Sequence, residues 1–335
     1  MPETRSAQWL HEAGIGEERA ILIEGGAIRA ARVVWDEAWR AGAVAEAKLL
    51  SRMPGTRRGV MRLPGGTEAL IDALDPALTE GMSIMVRVTR AAIAERGRSK
   101  LAHLRPATAG ETACPAPSLL AELRSAGAPV RSVPITDRSF DEAGWSDLVS
   151  DALSGEVAFP GGGLIISPTP AMTLIDVDGS PPLPALALAA VPAIVAALGQ
   201  FDIGGAIGID FPSLADKRDR HAVDAALAAV LSDWRGERTA MNGFGFVQLV
   251  SRLERPSLIA RYAQAGAGAA ARMLLRQAER VSGPGMLLLS AHPAVRRAVQ
   301  AEWEAELARR TGRLVRWQED SGLALGGSFA QIVAA

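Results

Sequence analysis

Two aspartates two residues apart close the apolar run TLIDVDG at 173–179, and a third, Asp210, closes a second run, GAIGID at 205–210. Side chains alternate between the two faces of a strand, so Asp176 and Asp178 share one face. Where neighbouring strands deliver such acids to one edge of a sheet, their oxygens converge and repel. A divalent cation relieves that repulsion, and oxygen-only ligands favour Mg²⁺ or Mn²⁺. Such an ion positions and polarises a phosphate and activates water. The competing reading is that each Asp ends its strand as a turn former, as the Asp-Gly step at 178–179 suggests. Spacing alone leaves both readings open.

Other combinations carry less chemistry. PGGG at 160–163 has the glycines of a phosphate cradle, but no GxxxxGK follows, so it reads as a turn; SGPG at 282–285 reads as a loop. No GxSxG is present, and His221 falls on an amphipathic helical pattern, which argues against a Ser/His/Asp triad. Cys114 is the only cysteine, and His11, His103, His221 and His292 are widely spaced. One chain therefore has no internal disulfide and no cysteine-based zinc site, and the expected home is a reducing cytoplasm. The tryptophans are scattered and read as core or boundary residues.

The 335 residues are 48% hydrophobic and 22% charged, which suits a globular chain of two or three domains. With 37 acidic and 36 basic side chains the net charge is −1, so any nucleic-acid surface must be a local patch. The basic excess lies at 48–105, with 11 Lys/Arg against 5 Asp/Glu. It is either a solvated face or a set of phosphate contacts. The N-terminus is polar and lacks the apolar core of a signal peptide. The uncharged run at 183–198 is Ala-rich, contains Pro184 and Pro192, and reads as a buried helix between two strands, so no membrane segment is expected.

The elements that must position the acids follow from periodicity. ILIEGG and AIRAARVVW read as a hairpin around Gly25-Gly26. Short β-like pieces over 43–105, separated by Pro-Gly turns, predict a small barrel. A Pro/Ala/Thr-rich linker at 106–118 leads into a short α/β piece, with a helix expected over 140–153. The order strand, strand, helix, strand, helix, strand over 160–250 predicts an α/β segment with a mixed sheet. The tail after Arg261 predicts a small separate α/β domain. The expected fold class is thus α/β (α+β), with boundaries at 1–42, 43–105, 106–155, 156–260 and 261–335.

The wording of these segments resembles the ribonuclease E/G family. The strongest match is GGGLIISPTPAMTLIDVDGS, a helix, and FDIGGAIGIDF, followed by GFGFVQLVSRLERPSL. LLLSAHPAVRRAVQ and LVRWQED resemble the family's small C-terminal domain. The resemblance spans nearly the whole chain and is specific between Gly161 and Leu258. It implies N-terminal strands packing on the core, an inserted OB-like RNA-binding barrel over 43–105, and a reduced RNase H-like remnant after the linker. It also implies a DNase I-like catalytic subdomain over 156–260. The implied activity is hydrolysis of single-stranded RNA to 5′-phosphate products, in RNA processing or decay. Asp176 matches the first metal-ligand aspartate and Asp210 the second, for Mg²⁺ or Mn²⁺. Asp178 stands where the family has an asparagine and, being acidic, is expected as a third catalytic and metal-ligand residue. Arg252 and Arg255 lie in the matching downstream segment and are expected to contact the RNA backbone.

The departures are as informative. The family's CPxCxG zinc link is absent, so no zinc is expected and a homodimer through the C-terminal domain would form without one. No match to the 5′-monophosphate sensor is found, which makes this a shortened member. Val60 and Leu70 stand near where the family places phenylalanines, so RNA binding would lean on Arg57, Arg58, Arg62, Arg98 and Lys100. Gln248 stands where a glutamate is usual. A nuclease is the first reading; an RNA-binding regulatory protein with little turnover is the second.

Overall fold

The computed structural model describes residues 7–95 and 98–334, without the side chains of residues 98, 264 and 265. The chain divides into two compact units. One contains Met1–Asp36, Leu119–Leu153 and Arg261–Ala335; the other contains Glu37–Ser118 and Ser154–Ala260.

The first unit holds a four-stranded sheet ordered Val130–Ser132, Gln8–Gly14, Glu17–Glu24, Ala27–Trp35. The last two strands are the expected hairpin. Gly25 and Gly26 both take positive φ, 61° and 83°, the conformation that a tight two-residue hairpin turn requires. Leu119 and Leu123 of the helix Leu119–Ser125 pack with Trp9, Ala20 and Val34. The expected helix over 140–153 is two pieces, Ser139–Glu142 and Trp145–Ser154, interrupted at Gly144 (φ 91°). The tail forms a three-stranded sheet, Val315–Glu319, Met286–Ala291, Phe329–Val333, with helices Pro293–Ala298 and Ala301–Thr311. Ile15 lies inside the tail's apolar core, against Leu274, Leu287 and Trp303, so the tail shares its core with the N-terminal strands rather than standing alone.

The strand Gln8–Gly14 buries polar groups as well as apolar ones. Arg19 donates twice to the Glu12 carboxylate, at 2.9 and 3.2 Å, with both side chains almost fully enclosed. The Arg19 guanidinium also lies over Phe140 and Trp145, 4.3 and 4.8 Å from the ring centroids. Arg276 pairs with Glu12 and Glu17. Burial pushes Arg19 down to about 10 and Arg276 down to about 9, so both remain cations at neutral pH.

The second unit begins with a closed five-stranded barrel ordered Ala102–Pro106, Glu68–Ile71, Gly59–Arg62, Val44–Arg52, Ser83–Arg90. Leu49, Met61, Ile71, Val86 and Leu104 fill it. Closure leaves these strands no open edge. A six-stranded mixed sheet follows, ordered Glu156–Phe159, Gly162–Pro168, Thr173–Gly179, Ala206–Asp210, Phe246–Ser251, Gly236–Arg238. Thr173–Gly179 and Ala206–Asp210 run parallel, and the helix Leu183–Gln200 makes the crossover such a pair needs. This helix is long and apolar enough to cross a membrane by composition. It instead packs on the strands Glu156–Phe159, Gly162–Pro168 and Thr173–Gly179 and beside the helix Lys217–Val230, with Leu186, Ala190, Ile194 and Leu198 buried.

Breaking the enclosed Glu12–Arg19 pair leaves an uncompensated charge, which typically costs about 3–5 kcal/mol. Glu12→Ala should lose stability of that order in urea denaturation, whereas Glu12→Met with Arg19→Met should recover much of it. A loss below about 1 kcal/mol for the single variant would contradict this role.

Candidate active site

Alternation along two strands builds the site. Ile175 and Val177 turn to the helix-covered face of the six-stranded sheet, as do Ile207 and Ile209, and all four are buried. The intervening residues Asp176, Asp178 and Asp210 are left exposed on the opposite face. The parallel register pairs Asp176 directly with Asp210. Adjacent strands lie about 4.8 Å apart, so the two carboxylates are close neighbours.

The electrostatics follow from that register. Partial burial, then repulsion from Asp210 and from Asp178, push the Asp176 carboxyl above its usual range, against a smaller opposing pull from the Val177 amide. Among the described residues no Arg or Lys is paired with Asp176 or Asp210. Asp178 lies on the same face, but its Oδ1 accepts from the Gly179 amide at 2.8 Å. No group of three or more His, Cys, Asp or Glu among the described residues is arranged to hold a metal. The three aspartates therefore do not make a ready-built cage. A facing carboxylate pair without a protein cation suits Mg²⁺, which keeps several waters and is usually held by one or two carboxylates together with substrate phosphates.

The basic residues sit elsewhere, and most have partners. On the barrel, Arg58 pairs with Asp72 at 2.6 Å and Arg62 with Glu68 at 3.4 Å. Arg57 donates to the carbonyls of Leu74 and Ala73. Lys100 lies 3.9 Å from Glu95 and donates to the Pro170 carbonyl; the Arg98 side chain lies outside the described residues. Val60 and Leu70 face each other in register on neighbouring barrel strands, both half-buried. Arg252 follows the strand that pairs Phe246 with Asp210 and Val250 with Ala206, so it lies toward the far end of the sheet from the acids, bridged to Glu254. Arg255 is largely buried between Asp202 and Glu254.

The sequence reading passed over Phe244 and Phe246. Phe246 is the register partner of Asp210, and Phe244 is 84% exposed in the preceding turn. An aromatic flanked by Gly243 and Gly245 in a turn is the signal that was available.

A mixed α+β chain with a closed barrel and an open sheet face bearing paired carboxylates is the class that fold and site define. Residues 121–252 match the sequence model of the Ribonuclease E/G family. The matched span contains Asp176, Asp178, Asp210 and Phe244. No curated protein matches the chain.

The raised Asp176 carboxyl has a definite pH signature. It binds its proton more tightly in the folded chain than in the unfolded one, so in metal-free protein it costs stability as pH climbs from the ordinary 3.8 through the raised folded value. Asp176→Asn should therefore melt at or above the wild-type temperature at neutral pH, the difference closing below the ordinary value. In Asp210→Asn, carboxyl NMR should show Asp176 titrating lower than in wild type; an unmoved midpoint would mean that the two acids do not sense each other.

Proposed function

We propose that the chain is a divalent-metal-dependent endoribonuclease that hydrolyses single-stranded RNA. The observation that carries this reading is the direct register of Asp176 with Asp210 on an open face, unneutralised by any described cation. The match of residues 121–252 to the Ribonuclease E/G family model supports RNA as the substrate class. In this reading the closed barrel is an OB-like RNA-binding module and the six-stranded sheet is a DNase I-like subdomain.

Asp176 and Asp210 would hold Mg²⁺, with Mn²⁺ as a substitute and no zinc. When bound, such an ion polarises phosphoryl oxygens and makes water a stronger nucleophile near neutral pH. The protein's own contribution is to fix two oxygen donors on adjacent strands, whose backbones the sheet holds rigid. Asp178 adds negative charge beside Asp176, and its Oδ1 is held by the Gly179 amide, so it acts by tuning Asp176. Hydrolysis breaks the bond from phosphorus to the 3′-oxygen as water adds, leaving a 3′-hydroxyl upstream and a 5′-phosphate downstream. Because Asp176 must release its proton to serve as a ligand, activity should fall on the acid side as that group protonates.

A second reading is an RNA-binding regulatory protein with little turnover. It is favoured by the three aspartates not forming a group of three arranged to hold a metal, among the described residues.

One assay separates the two. Purified full-length chain is incubated with end-labelled single-stranded RNA and Mg²⁺ or Mn²⁺, with and without chelator. The nuclease reading predicts internal cleavage that the chelator stops. It also predicts that Asp176→Asn and Asp210→Asn each lose more than the roughly 10–100-fold typical of removing a residue behind a metal ligand. No cleavage of any RNA under these conditions overturns it; salt-sensitive RNA binding that persists in both variants would then favour the second reading.

A further inference from the structure

The face that carries the acids also carries exposed apolar side chains. Ile165, Leu174 and Val250 are 42%, 37% and 47% exposed on it. Gly208, one register step from Asp210 on that face, is covered by the Phe246 ring, the Leu174 side chain and the Met172 sulfur. A Cβ at position 208 would stand 2.5 Å from Phe246 Cζ, so the glycine is what lets that ring lie against the sheet. Beyond Phe246 the chain turns, and Phe244 is more exposed than any other large apolar residue described.

That exposure is built in. The Asn242 Oδ1 accepts from the amides of both Phe244 and Phe246, at 2.9 and 3.1 Å. The Asn242 amide donates to the Phe246 carbonyl, and the Gly245 amide to the Asn242 carbonyl. The turn is tied to the acid strand as well, because the Phe211 amide donates to the Gly245 carbonyl. An aromatic ring held in water on a closed, hydrogen-bonded turn forgoes burial of a large apolar area. Its position gives it a use: it lies two residues before the register partner of Asp210, at the end of the sheet where the acids stand. Aromatic rings stack any unpaired base, since every base has a π-face, and they do not stack bases enclosed in a duplex.

We propose that Phe244 and Phe246 form a base-stacking platform that takes an unstacked nucleobase attached to the phosphate addressed by Asp176 and Asp210. The proposal rests on the nuclease reading for the position of that phosphate, but it concerns binding and can be tested apart from cleavage. It places single-strand selectivity on the catalytic face itself, where the barrel positions Val60 and Leu70 offer no aromatic ring. Phe246 is partly buried against Gly208, so Phe244 is the residue to vary.

The test uses the full chain and a single-stranded RNA carrying 2-aminopurine, whose fluorescence is quenched when it stacks. With Ca²⁺ in place of Mg²⁺, quenching on binding is expected for wild type and for Phe244→Trp. Phe244→Ala should lose the quench and bind about tenfold more weakly, the scale of one stacked base. In Mg²⁺, Phe244→Ala should also cleave intact RNA about tenfold less efficiently, with Phe244→Trp restored. RNA lacking the base beside the cleaved phosphate should be cut equally by wild type and Phe244→Ala. Equal quenching by wild type and Phe244→Ala, or no quenching by wild type, overturns the platform. Quenching that depends on Phe244 in a chain that cuts no RNA upholds the platform while removing the nuclease reading.

Discussion

The parallel register between Thr173–Gly179 and Ala206–Asp210 is the constraint on which the rest depends. It sets two carboxylates side by side on the open face, where their repulsion opposes the pairing that brings them together. Two unit charges 4 Å apart repel by about 1 kcal/mol in a water-like medium, and about 4 kcal/mol near a protein surface. On the other face the same two strands bury Ile175, Val177, Ile207 and Ile209 under the helices. Each such side chain contributes about 1.5–3 kcal/mol, so burial outweighs repulsion even after allowance for a compact unfolded state. The sheet can hold an electrostatically unfavourable pair because its opposite face is apolar.

The two units handle charge in contrasting ways. In the first, Glu12, Glu17, Arg19 and Arg276 are enclosed but matched, each acid meeting an arginine. In the second, Asp176 and Asp210 are exposed and unmatched by any described cation. A fold able to neutralise buried acids with arginine leaves these two without it, as the proposed metal site requires.

Much of this was legible in the sequence, for identifiable reasons. The run TLIDVDG alternates cleanly, so the side of the sheet on which Asp176 lies could be read from Ile175 and Val177. The Gly25-Gly26 hairpin announced itself through its turn residues. The strand Gln8–Gly14 did not, because His11 and Glu12 look solvent-seeking and become buriable only through partners farther along the chain, Arg19 and Arg276 for Glu12 and Glu18 for His11. The basic excess at 48–105 could be counted, but not that Arg58 and Arg62 meet Asp72 and Glu68. The tail read as a separate domain because nothing local shows that Ile15 completes its core. Local alternation was readable; pairing between distant residues was not.

The proposed metal-dependent chemistry comes down to whether one hard cation sits between two strand ends. Crystals of the full chain soaked in Mn²⁺ and measured at the manganese absorption edge address this directly. A single strong anomalous peak is expected within coordination distance of carboxylate oxygens from both Asp176 and Asp210. Clear density for both side chains with no anomalous peak between them, or manganese bound only elsewhere, would contradict it.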